Sequence, residues 1–157
     1  MRARIVTVSS RASAGVYGDD TGPAVAKVLI DAGFEVLGTT VVPDGREVVA
    51  AALIGACADT DLVITNGGTG LHPKDLTPEA TRDVIDREAP GIAEGIRHAS
   101  LAITPMAMLT RGIAGIRGTT LNVNVPGSPK GARESVEAIA TVLAHAVDQL
   151  RGGDHPR

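Results

Sequence analysis

The run Thr65-Asn66-Gly67-Gly68-Thr69-Gly70 follows directly on the apolar stretch Asp61-Leu62-Val63-Ile64-Thr65. Three glycines in the four positions 67–70 leave backbone N–H groups bare and let a ligand approach the main chain closely. Successive N–H groups in such a turn form a concavity suited to phosphate oxygens. The spacing belongs neither to a Walker A loop nor to a dinucleotide fingerprint, since Gly-x-x-x-x-Gly-Lys and Gly-x-Gly-x-x-Gly are both absent. Asp75 follows five residues after Gly70. If the turn holds phosphates, this carboxylate could hold a magnesium ion or orient a reacting group beside them. Lys74 and Asp75 also fit plain surface charges.

Three further loops could contribute. Ser9 to Pro23 is long for a strand-to-helix connection, where about 2–6 residues is usual. It mixes hydroxyls, the Arg11 guanidinium and the carboxylates of Asp19 and Asp20. It reads as a functional loop or as a solvated one with a helix cap at Asp20 or Thr21. Val42-Pro43-Asp44-Gly45-Arg46 carries an ordinary turn signal, so Asp44 taken alone is a turn or cap residue. Val125-Pro126-Gly127-Ser128-Pro129-Lys130-Gly131 is stiffened by its prolines. It is either a rigid strand-to-helix link or a wall of the same pocket, with Ser128 and Lys130 near an anion. His72, His98, His145 and His155 have no partner at metal-ligand spacing, and none is assigned to metal. Cys57, the only cysteine, follows the apolar run Ala50 to Ile54 and reads as a small buried side chain.

These loops need a scaffold, and the pattern around them supplies one. Short β-branched runs (Arg4–Val8, Phe34–Val42, Asp61–Thr65, Thr120–Val125) alternate with helical periodicity. Val25, Val28 and Leu29 share a face after Pro23. Val48, Val49, Ala52, Leu53 and Ala56 share another. Val136, Ile139, Leu143, Val147 and Leu150 form the clearest stripe, opened by Gly131 and closed by Gly152-Gly153. Thr77-Pro78-Glu79 marks a helix start with Thr77 as cap. The stretch Gly112 to Thr119 fits a short strand turning at Arg117-Gly118-Thr119 to pair antiparallel with the run after it. Strands alternating with helices imply a mainly parallel sheet covered on both faces. Ligands then bind beyond the carboxyl ends of the strands, where the loops named above lie.

At 157 residues the chain is expected to form one domain spanning 1–157. With 43% hydrophobic and 21% charged residues it is neither disordered, collagen-like nor a disulfide scaffold. Aromatics make up 1%, with no Trp, which excludes a base-stacking platform for single-stranded nucleic acid. A net charge of −3 gives no broad nucleic-acid face. No run reaches the roughly 18 apolar residues of a membrane span. Ile5 to Val8 is too short for a signal peptide, so a cytoplasmic location is expected.

Taken in order, the loops resemble one family. Asn66 to Gly70, Lys74 to Thr81 and Pro126 to Lys130 look like the signature of molybdopterin adenylyltransferases of the Mog and MoaB type, related to the gephyrin G domain. Ser9-Ser10-Arg11, Gly15-Val16-Tyr17, Gly22-Pro23, Val42-Pro43-Asp44 and Thr110-Arg111-Gly112 extend the match from Arg4 to about Leu150. Ser10 stands where many members carry Asp, and Asn66 where Thr or Ser is commoner. The resemblance implies a three-layer α/β/α sandwich, usually a homotrimer. It implies magnesium-dependent transfer of AMP from ATP to the terminal phosphate of molybdopterin, releasing pyrophosphate. Carried over by position, Asp75 is the aspartate tied to catalysis and Asp44 a second acidic group near nucleotide and metal. Gly67, Gly68, Thr69 and Gly70 are the phosphate-contacting turn, and Ser128 and Lys130 the far wall. Ser10, Asn66, Thr77, Glu79, Pro126 and Gly127 complete the substrate-binding set. Molybdate insertion falls to another protein, which this chain would contact. Two other readings remain: a non-catalytic molybdopterin- or nucleotide-binding trimer of MoaB type, and a pyrophosphatase of the competence-damage type, for whose second domain 157 residues leave no room.

Overall fold

The computed structural model describes residues 1–153. β1 (Arg2–Val8) sends Ala3 and Ile5 to one face and Val6 and Val8 to the other, as the period of two requires. It is followed by the single turn α1 (Ser10–Ser13), by α2 (Thr21–Asp31) and by β2 (Glu35–Val42). Then come α3 (Arg46–Cys57), β3 (Leu62–Asn66), α4 (Thr77–Val84), β4 (Arg87–Glu88) and α5 (Pro90–Leu101). A 3₁₀ turn (Pro105–Leu109), β5 (Ala114–Arg117), β6 (Thr120–Val125) and α6 (Pro129–Leu150) complete the chain.

The strands form one sheet in the order β2-β1-β3-β6-β5-β4. The first four are parallel, while β5 runs antiparallel to β6 and β4 antiparallel to β5. β3 and β6 are buried along their whole length, as expected for central strands covered on both sides. Ala3, Ile5, Leu62, Ile64, Leu121 and Val123 meet α2, α5 and α6 on one face. Val6, Val8 and Val63 meet Val49 and Leu53 of α3 and Ala80 and Val84 of α4 on the other. The result is the three-layer α/β/α sandwich.

Register matters most for the site. Thr7 lies opposite Asn66, and Asn66 opposite Val125. Three parallel strands therefore end side by side, and the loops beginning at Ser9, Gly67 and Pro126 leave one edge together. Ser9 N–H donates to Val42 O at 2.9 Å and Gly67 N–H to Val125 O at 3.2 Å, tying the exits to each other.

Several boundaries differ from the sequence reading. α2 begins at Thr21, two residues before Pro23, because the Asp19 carboxylate accepts from Thr21 N and Gly22 N at 3.0 and 2.9 Å. The capping side chain is thus Asp19 rather than Asp20 or Thr21. α6 begins at Pro129, not Gly131. Ser128 caps it by accepting from Gly131 N at 3.2 Å, and Pro129 takes the first helical position. Thr77 is the first residue of α4 rather than its cap, and its hydroxyl is used elsewhere. The 112–119 hairpin forms, with Gly118 at φ +57° in its turn. The sequence reading has no counterpart for α5 or β4. α5 buries only Ala93 and Ile96, too faint a stripe to read. Cys57 is half-buried rather than buried, donates to Asn122 Oδ1 at 3.3 Å and has its thiol pushed up by burial. Of the polar tail, residues 154–157 lie outside the described residues.

Candidate active site

Where β3 ends, Gly67 and Gly68 take φ +92° and +62°. Packing as well as torsion demands glycine here. A Cβ on Gly67 would stand 2.2 Å from Val8 O, and one on Gly68 2.4 Å from Thr77 Oγ1. A Cβ on Gly127 would stand 3.1 Å from Gly67 Cα. The loops after β1, β3 and β6 therefore touch backbone to backbone and form a bare ridge. α4 holds the ridge from below. Buried Thr77 donates its hydroxyl to Gly67 O at 2.8 Å and its N–H to Gly68 O at 3.1 Å. Thr81 donates to Thr77 O at 2.8 Å and accepts from Asn124 Nδ2 at 2.9 Å, carrying the support back to β6.

The ridge separates two clefts, and Gly68 and Gly127 line both. The first, of about 410 Å³, has apolar walls from Ile96, Ile103, Met106 and Leu109. Thr69, Gly70, Asp75 and Pro126 stand at its ridge side, and Ser128, Gly131 and Glu134 of the α6 region close it. The second, of about 430 Å³, is polar. Ser9, Ser10, Arg11, Tyr17, Asp19, Asp20, Asp44 and Asn66 line it.

In the second cleft Asp44 Oδ2 accepts from Ser10 Oγ at 2.6 Å and from Ser10 N at 3.0 Å, and Asp44 N donates back to Ser10 Oγ at 3.0 Å. The loops after β1 and β2 are locked by this exchange. Asn66 Nδ2 donates to Thr7 Oγ1 at 3.0 Å, and Thr7 Oγ1 to Asp19 Oδ2 at 2.8 Å. Among the described residues, buried Asn66 Oδ1 has no hydrogen-bond partner. The Arg11 guanidinium sits 5.2 Å from the centre of the Tyr17 ring, and the Tyr17 hydroxyl is 3.1 Å from Ser9 Oγ.

Beside the first cleft Arg111 organises the glycine turn. Its N–H donates to Thr69 O at 2.7 Å and its Nε to Gly70 O at 2.7 Å. One Nη donates to Asp75 O, and the head forms a two-pronged pair with the Glu79 carboxylate. The Arg111 hydrogen bond holds the Glu79 carboxyl below its ordinary range, and Glu79 in turn raises Arg111. Asp75 Oδ2 accepts from His72 N at 3.2 Å. A Cβ on Gly70 would lie 2.8 Å from that same oxygen, so the last glycine of the turn makes room for the aspartate.

The structure thus gathers most of the positions picked from the sequence, in two groups. Ser10, Asp44, Asn66 and Gly67 face the second cleft. Thr69, Gly70, Asp75, Pro126 and Ser128 face the first. Thr77, Glu79 and Lys130 line neither. Thr77 and Glu79 brace the turn, and Lys130, exposed, has its Nζ 3.9 Å from Glu134 Oε1. Glu134, the capping role of Asp19, the bracing role of Arg111 and the wall from Ile96 to Leu109 escaped the sequence reading. Only Thr110-Arg111-Gly112 gave a signal, and nothing local to it points at Glu79, 32 residues away.

Asp44 and Asp75 belong to adjoining clefts, not to one cage. Among the described residues no three His, Cys, Asp or Glu side chains converge as a metal site. That donor set fits magnesium, which takes one or two carboxylates and completes its shell with water and substrate phosphates.

A doubly covered, mainly parallel sheet with paired clefts at its carboxyl edge defines an α/β protein with its clefts where such sheets take ligands. Residues 4–145 match the family described as "Probable molybdopterin binding domain", and the chain belongs to that family. It is 40% identical over 152 residues to the molybdopterin adenylyltransferase of Helicobacter pylori strain J99, covering 94% of this chain and 86% of that one. Among solved structures it is similar to the molybdopterin biosynthesis enzyme MoaB of Thermus thermophilus, with TM-score 0.90, 50% identity and 96% of each chain covered. The Mog protein of Mycobacterium ulcerans superposes with TM-score 0.88 at 47% identity, over 95% of this chain and 98% of that one.

Proposed function

We propose that this chain is a molybdopterin adenylyltransferase, transferring AMP from ATP to the terminal phosphate of molybdopterin in molybdenum cofactor biosynthesis. The observation that carries the reading is the pair of clefts meeting at one ridge of bare amides. A transfer between two bulky phosphorylated substrates needs two seats with their phosphate ends in contact. The names of the relatives at 38–40% identity support the same reaction.

In the reaction, an oxygen of the pterin's terminal phosphate bonds to the α-phosphorus of ATP. The bond from that phosphorus to the bridging oxygen breaks, and pyrophosphate leaves. No protein nucleophile is needed, so catalysis rests on positioning and on electrostatic stabilisation. The amides of Gly68–Gly70 offer fixed donors to phosphate oxygens without adding net charge, which lets an acidic protein hold two polyanions, while the Gly67 N–H is spent on Val125 O. Magnesium, bound, supplies charge neutralisation on the phosphates. Asp44, oriented by Ser10, and Asp75, seated against Gly70, are the carboxylates that would hold it, one from each side of the ridge.

The assignment extends to a homotrimer acting in the cytoplasm, with residues 1–157 as one functional unit and a molybdate-insertion protein as recipient of the product. Exposed Leu101 and Met108 beside the first cleft supply apolar surface for contact between copies. Among the described residues no helix is long and apolar enough to cross a membrane.

The deciding experiment mixes protein, magnesium, ATP and molybdopterin and follows pyrophosphate. Release that requires the pterin is the expected result. Tight binding of both substrates without release would instead establish a non-catalytic module. Sedimentation equilibrium checks the trimer, and a monomeric mass across micromolar concentrations removes it.

A further inference from the structure

The first cleft carries two carboxylates, Asp75 beside the ridge amides and Glu134 away from them. At the ridge stand the amides of Gly68–Gly70 and the α6 cap at Ser128. Six residues along the helix, roughly 9 Å at 1.5 Å per residue, Glu134 brings a carboxylate to the same cleft. Ser128, Gly131 and Glu134 are spaced by three, so they share one face of the first turns of α6. Gly131, between the other two, puts no side chain into the space. Opposite lie Ile96, Ile103, Met106 and Leu109, an apolar wall. Among the described residues Asp75 and Glu134 are the only charged side chains lining the cleft, and no Lys or Arg lines it. The Glu134 side chain is about a quarter exposed, and its ion pair with exposed Lys130 spans 3.9 Å, too loose to occupy it fully.

A carboxylate facing an apolar wall, away from the amide turn that serves phosphate, attracts paired N–H donors. A 2-amino-4-oxopyrimidine edge offers such a pair in its ring N–H and its exocyclic amine. Their spacing matches the two oxygens of a carboxylate. We propose that Glu134 is the pterin-reading residue of the first cleft. Its carboxylate accepts from N3–H and the 2-amino group while the phosphate end of the same molecule lies on the glycine ridge. The nucleotide is thereby left to the second cleft. This rests on the adenylyltransferase reading and adds the direction in which the pterin lies.

The test compares 6-phosphooxymethylpterin with its 2-oxo (lumazine) counterpart, which lacks the amine, by fluorescence titration. Pyrophosphate release with molybdopterin is measured in parallel. The wild-type protein is expected to prefer the pterin by about tenfold or more, the size of a lost charge-assisted pair. Glu134→Gln should abolish that preference and raise KM for molybdopterin about tenfold, with KM for ATP unchanged. Equal binding of the two ring systems by the wild-type protein overturns the proposal without recourse to a variant. So does a Glu134→Gln protein that keeps the preference. In both cases pterin-dependent pyrophosphate release would continue, so the adenylyltransferase reading survives. Absence of both pterin binding and pyrophosphate release in the wild type removes both.

Discussion

Asp75 is found by its spacing from the glycine turn and Asp44 only through the family resemblance, and their surroundings give them different work. Asp75 is pressed against Gly70 beside the amide turn. Asp75→Asn is expected to cut AMP transfer by at least 100-fold, since it weakens a charge at the reacting phosphates. Molybdopterin affinity should stay within a few-fold. Single-turnover kinetics with a separate binding titration checks this, and near wild-type turnover would refute it. Asp44 depends on Ser10, which both donates to it and accepts from it. Ser10→Ala should lower transfer by about tenfold and raise the magnesium concentration needed for half-maximal rate, because the carboxylate loses a charge-assisted bond. What the sequence could not reveal at this scale is where a side chain spends its hydrogen bonds. Glu79 and Thr77 stand in the motif beside Asp75, but their partners, Arg111 and Gly67 O, are fixed only by the fold.

At the scale of elements, the central strands were readable because burial on both faces writes a continuous β-branched run. β3 and β6 are buried throughout, and Thr120–Val125 appears with the boundaries read from sequence. α5 buries only Ala93 and Ile96, too little to leave such a trace, and Ile103, Met106 and Leu109 of the first cleft's wall lie in the loop and 3₁₀ turn after it, with no periodic stripe of their own. The glycine turn was legible as a turn. Its reason was not, since a Gly68 Cβ would collide with Thr77 from a different element. Gly68→Ala combines that clash with φ +62° and should destabilise the protein by roughly 1–3 kcal/mol. Gly55→Ala, in the exposed last turn of α3 with open space around the new methyl, should stabilise it by about 0.5 kcal/mol. Urea midpoints of the two variants should move in opposite directions.

For the whole molecule, strand order and the division into two clefts lay beyond the sequence, because both follow from long-range pairing: β6 enters beside β3, though some fifty residues separate them. The charge layout has a consequence at this scale. Arg4 holds Asp59, Arg111 holds Glu79 and Arg46 holds Asp83 below the usual carboxylate range. At Asp61 the upward push of burial is outweighed by the Arg2 amide and Arg151. Each native group binds its proton less readily than in the unfolded chain. The stability they contribute is present above the unfolded values, about 3.9 for Asp and 4.3 for Glu, and is lost as pH falls through the lower folded ones. Thermal stability should therefore hold through neutral pH and fall below about pH 4. Glu79→Gln should flatten part of that acid limb, and a melting temperature series from pH 7 to pH 2.5 reads it.

Because Gly68 and Gly127 are wall to both chambers, neither substrate's seat can be reshaped there without disturbing its neighbour's. Freedom to drift is left to the outlying ends, around Tyr17 and Asp20 in one and around Ile103 and Glu134 in the other. Retargeting such a protein to a different nucleotide or heterocycle would begin at those extremities, with the party wall left untouched.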